Sequence, residues 1–131
     1  MAVTLATQVV LDGSRNTIIK VTILGDGVLD LTKQVIFDSS AYVNDTMNNK
    51  LWRIEYNLNQ FSGFLYWDAT TDVQMMSLTP NFAADQKFAS IGGLVNNSTT
   101  GRTGDILLST NGLGSAPALT GDIILYIKKR T

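Results

Sequence analysis

The chain has 131 residues, enough for one domain, and only 16% of them are charged, against roughly 25% in an average soluble domain. Net charge is −1, and there is no Cys and no His. These counts exclude thiol nucleophiles, disulfides and Cys/His zinc sites, and they remove the side chain most used for proton transfer near neutral pH. They also disfavour a nucleic-acid binder working by counterion release. The acids are ten Asp and a single Glu, so a Glu/Glu glycosidase pair is absent. The expectation from composition is a protein that is not an enzyme and carries no cofactor.

Period-two alternation recurs from one end of the chain to the other, the mark of strands with one buried face. The first candidate strand is 3–11, followed by 15–24, where Ile19, Val21 and Ile23 oppose Ile18, Lys20 and Thr22. A short strand is expected at 33–38. The clearest alternation is 51–59, which predicts Trp52, Ile54, Tyr56 and Leu58 on one face and Arg53, Glu55, Asn57 and Asn59 on the other. The loop 59–63 after it predicts a hairpin with the next strand, 63–68. In that strand Phe64 and Tyr66 share one face while Leu65 and Trp67 take the other. Strands are further expected at 73–78 and 105–110. At 123–127, Ile123, Leu125 and Ile127 oppose Ile124, Tyr126 and Lys128.

Gly, Asn and Asp turns separate these runs, and two stretches, 39–49 and 81–88, predict a helical turn at most. About eight short strands with little helix point to an all-β fold: an antiparallel β-sandwich or jelly-roll-like barrel. It is expected as a single domain over 1–131, with a short N-terminal arm at 2–8. The start of the chain lacks the charged and apolar regions of a signal peptide, and no apolar run approaches the roughly twenty residues of a membrane span. Neither a membrane nor a nucleic acid is expected as a partner.

Several constellations invite a chemical reading. Asp26 with Asp30 and Asp68 with Asp72 could offer oxygens to a hard cation, but their spacing is four rather than alternate, so turn-forming Asp is the expectation and no metal is assigned. The abundant Ser and Thr lack a His base, and no Gly-rich segment continues into a phosphate-binding Lys-Ser/Thr pair. Trp52, Tyr56, Phe64, Tyr66 and Trp67 could stack sugars, although such rows more often build a core or a subunit interface. Lys128-Lys129-Arg130 is the one basic run. The sequons at Asn44 and Asn97 are expected to be accidental. Apolar residues on both faces of the strands at 18–24 and 123–127 raise the prospect of a second, intermolecular cover.

One string of motifs has a familiar order: Asp12-Gly-Ser-Arg-Asn16 leading into a strand, Trp67-Asp-Ala-Thr70, Gly92-Gly-Leu-Val-Asn96, Gly101-Arg-Thr-Gly-Asp-Ile106, and a last apolar strand ending in Lys128-Lys129. Over residues 8–129 it resembles small all-β virion structural proteins of tailed bacteriophages. Ser14 stands where members often have Pro, and the loop 111–117 is longer than usual; neither departure touches a site. The resemblance implies a capsid cement or decoration protein, made in the host cytoplasm and carried on the capsid surface. Its partners would be the major capsid protein and copies of itself, with a trimer as one candidate assembly. The alternatives are a head–tail neck or tail subunit, or a carbohydrate-binding β-sandwich module. Partner contacts are expected from the arm and the long loops, at Val3, Leu5, Leu94, Asn96, Asn97, Arg102, Leu113 and Leu119.

Overall fold

The computed structural model describes residues 3–42, 48–81 and 83–129. Ten strands form two antiparallel sheets, as expected of a β-sandwich. They are β1 (Thr4–Asp12), β2 (Asn16–Asp26), β3 (Gln34–Phe37), β4 (Lys50–Leu58), β5 (Ser62–Trp67), β6 (Val73–Leu78), β7 (Ala83–Lys87), β8 (Leu94–Val95), β9 (Ile106–Asn111) and β10 (Pro117–Lys128). The larger sheet runs β1-β2-β10-β4-β7, with β8 also paired to β4; the smaller runs β3-β9-β5-β6. Helical structure among the described residues is limited to three single 3-10 turns, at Ser39–Ala41, Ala89–Ile91 and Leu113–Ser115.

Alternation becomes a core directly. Ile19, Val21 and Ile23 of β2, Ile123, Leu125 and Ile127 of β10, and Leu51, Ile54, Tyr56 and Leu58 of β4 face the smaller sheet. That sheet answers with Phe37, Leu65, Trp67, Leu78, Ile106 and Leu108, and all of them belong to one buried cluster. At about 25 cal/mol per Å² of apolar surface removed from water, this cluster is the main force holding the sheets together.

Four expectations need correction. The run 51–68 is not a hairpin: β4 lies in the larger sheet and β5 in the smaller, and no pairing joins them. The connection arches between layers because Phe61 (2% exposed) drops into the core, while Gln60 takes a positive φ of 65° and its N–H donates to Asn81 Oδ1. Trp52 does not share the face of Ile54. The register slips at this point, with Tyr126 opposite Arg53 and Ile127 opposite Leu51. A β-bulge therefore turns Trp52 outward, and Leu51 fills the core in its place. The segment 83–87, expected as a helical turn, is the strand β7, and β8 was not anticipated. The stretch 4–8, expected within a free arm, is part of β1 and pairs with β2 from Thr4↔Leu24 onward.

Ala2, Asn44 with its sequon, and Arg130 lie outside the described residues, as do 43–47 of the helical turn expected at 39–49, whose start is the 3-10 turn Ser39–Ala41.

Candidate functional site

The outward face of the larger sheet is built in rows across the strands. Ile18, Tyr126, Arg53 and Lys87 form one row, and Lys20, Ile124, Glu55 and Asp85 the next. Arg53 makes a two-pronged contact to Asp85 (2.9 and 2.8 Å) and approaches Glu55 at 3.1 Å, with its guanidinium 4.8 Å from the centre of the Tyr126 ring. Tyr126 donates its hydroxyl to Glu55 Oε1 at 2.6 Å and meets Trp52 edge to face at 5.4 Å. The hydrogen bond from Arg53 holds the Asp85 carboxyl below its ordinary value. The bond to Glu55, reinforced by desolvation, pushes the Tyr126 phenol above its own. This network half-buries Tyr126, Ile18 and Ile124, so the second face of β2 and β10 is partly covered by the chain itself.

The end row has no such balance. Asn16, Lys128, Lys50 and Val95 lie opposite one another across four strands. Two lysines are thus cross-strand neighbours, an arrangement that disfavours the free fold. Recesses open on either side. One, about 360 Å³, is lined by Asn48, Asn49, Lys50, Val95, Asn96 and Arg102. The other, about 380 Å³, is lined by Arg15, Asn16, Trp52, Ala89, Gly92 and Lys128. Among the described residues neither lining contains an acid, and no salt bridge reaches Arg15, Lys50, Arg102 or Lys128. Ile91 (69% exposed) and Val95 (49%) stand in the same region. Gly92 and Gly93, with φ of 82° and 92°, turn the chain between them, and the Gly93 N–H closes the turn on the Phe88 carbonyl.

No family model matches this chain. No curated protein matches it either.

The residues singled out from sequence are dispersed. Leu113 (0% exposed) and Leu119 (7%) are core residues and are withdrawn as partner contacts: Leu113 packs beneath the larger sheet against Gly25. Val3, Leu5 and Leu94 are half-buried against the same core. Asn96 (5% exposed) is spent on the loop itself, its amide donating to the Asp68 carbonyl and its Oδ1 accepting from the Ser98 N–H. Asn97 is exposed, and Arg102 lines the first recess while donating to the Asn96 carbonyl.

The four turn acids serve the chain's own loops. Asp26 accepts from the N–H groups of Leu29 and Val28, which pull its carboxyl down. Asp30 accepts from Leu113 N–H and the Thr110 hydroxyl, Asp72 from Ala69 N–H, and Asp68 from the Thr103 hydroxyl.

The aromatics do not form a single platform. Trp67 is core, Trp52 stands edge-on to Tyr126, and Tyr66 lies on the other sheet beneath Lys33. Lys128 was singled out from sequence within the basic run 128–130, but Lys50 and Ile91 were missed, and only strand pairing sets Lys50 beside Lys128.

Proposed function

We propose that this chain is a non-catalytic structural protein of a tailed-phage virion, a cement that binds the outer surface of the assembled major capsid protein. One observation carries the reading: the exposed Ile91 and Val95 stand among four cations that have no ion pair among the described residues. Exposed apolar side chains beside charge of one sign suit an acidic protein surface, because the charges orient the encounter and the apolar contact holds it. The motif order from Asp12 to Lys129 supports a virion home for that contact. Cementing needs no catalysis. A ligand that prefers the assembled shell stabilises it by mass action, and contacts to several capsomers reinforce one another through effective concentration.

The test is copy number and binding together. Quantitative mass spectrometry of purified particles should find the chain in numbers comparable with the major capsid protein, and purified chain should bind shells lacking it. Only a few copies per particle would move it to the neck or tail, and absence from particles would end the reading.

A further inference from the structure

We infer that β1 is the seam of a two-fold dimer, in which the β1 strands of two copies pair antiparallel and join their larger sheets into one.

β1 ends the larger sheet, so only its β2 side is paired among the described residues. An edge strand of nine residues is an open template for another strand, and proteins ordinarily blunt such edges with charge, Pro or shortness. The other edges here are blunted. β7 (AADQK) carries Asp85 and Lys87, β3 has four residues, and β6 has six against the nine of β1. β1 has no Pro and no charge from Thr4 to Leu11. Its one charge, Asp12, is held by Lys129 at 2.8 Å.

The side chains of β1 complete the case. The register places Val9 on the core side, opposite Ile19, yet it is 50% exposed, because the smaller sheet does not reach beneath it. Leu11, opposite Ile18 on the outward side, is 46% exposed, and Val10, at the register slip between them, 58%. At Val9–Leu11 the strand is apolar on both faces, as in a sheet interior, with no strand paired beyond it among the described residues. A second copy fits this edge. A two-fold axis between Thr7 and Gln8 produces antiparallel pairing of identical strands, sets Leu5 against Val10 and Ala6 against Val9, and opposes no like charges between Thr4 and Leu11. The inference does not depend on a virion role.

Sedimentation of the full chain at micromolar concentration reads it out, and a dimer is expected. Val9→Lys and, separately, Val10→Lys should weaken self-association by at least about tenfold while the circular dichroism spectrum and melting temperature stay close to those of the parent. Because the chain has no Cys, the double variants Ala6→Cys/Val9→Cys and Leu5→Cys/Val10→Cys, whose members oppose one another across that seam, provide a check that needs no loss of binding: mild oxidation should trap a disulfide-linked dimer in at least one of them. A parent that stays monomeric, a dimer that survives both charged variants with the fold intact, or no cross-link in either double variant would overturn the seam. So would a monomer whose β1 instead binds an extended segment of another protein.

Discussion

Lys129 Nζ lies 2.8 Å from Asp12 Oδ1 and 2.9 Å from the Gly13 carbonyl, with its side chain only 2% exposed. The contact ties the first residue after β10 to the turn between β1 and β2, and Lys129 N–H adds a bond to the Arg15 carbonyl at 2.7 Å. A buried ion pair adds little over a matched apolar pair, but removing one partner strands the other. Lys129→Met is therefore expected to cost about 2–3 kcal/mol, less than a fully buried pair because Asp12 keeps 25% of its surface in water. Adding Asp12→Asn should recover part of that loss. Urea unfolding would show it as a lower midpoint at unchanged slope.

The phenol of Tyr126 should titrate above its ordinary value of 10.0, because ionising it breaks the bond to Glu55 and sets two anions side by side. The folded value lies above the unfolded one. The stabilisation is therefore fully present below about pH 10 and is lost as pH rises through the folded value. Phenolate absorbance, taken as the difference between parent and Tyr126→Phe, isolates this group. Glu55→Gln should bring it back toward the ordinary value.

On the acid side, Asp85 has the opposite sign. Arg53 lowers its folded value below the ordinary 3.8, so its contribution is present above that value and disappears as pH falls through the folded one. Asp85→Asn should flatten the acid limb of the stability profile, measured by thermal melts across the pH series.

Most of the fold was legible because alternation reports burial one residue at a time: β2, β5 and β10 place their large apolar side chains as their sequences imply. What failed was what alternation cannot encode. The bulge at Trp52 exchanges the faces of two residues without changing the pattern of letters. The arch at Gln60 carries the chain to the other sheet through a loop whose composition matches a hairpin. β7, with the sequence AADQK, has almost no apolar face to betray it. The candidate site was less legible still. Arg102 and Asn97 fell within a suspect loop, but the Lys50–Lys128 pairing exists only through strand order, the burial of Leu113 only through the packing of its loop against Gly25, and that of Leu119 through its place in β10.

Gly101 has φ of 73°, and a Cβ there would come within 2.7 Å of the Thr70 backbone nitrogen. That nitrogen donates to the Thr100 carbonyl at 3.2 Å, so the loop carrying Arg102 rests on the β5–β6 turn. Gly101→Ala is expected to lose about 1–3 kcal/mol from the disfavoured backbone region together with the clash, which cannot relax into a flexible side chain. Denaturant unfolding measures the loss. Hydrogen exchange should show faster opening confined to 96–104 and 68–72.

Lys50 opposite Lys128 leads to a prediction in which stability and binding move in opposite directions. A cross-strand pair of like charges destabilises the free protein by about 0.2–1 kcal/mol, with salt reducing the effect. Lys128→Gln should therefore raise the stability of the isolated chain by a few tenths of a kcal/mol at low ionic strength and by less at high salt. If these cations meet an acidic surface, the same substitution should slow association with shells and flatten its dependence on ionic strength. A variant that is more stable alone yet slower to bind is hard to explain by damage to the fold, because damage would move both measurements the same way. Unfolding curves at two ionic strengths, paired with association rates on shells lacking the protein, make the comparison. An unchanged association rate would show that Lys128 plays no part in docking.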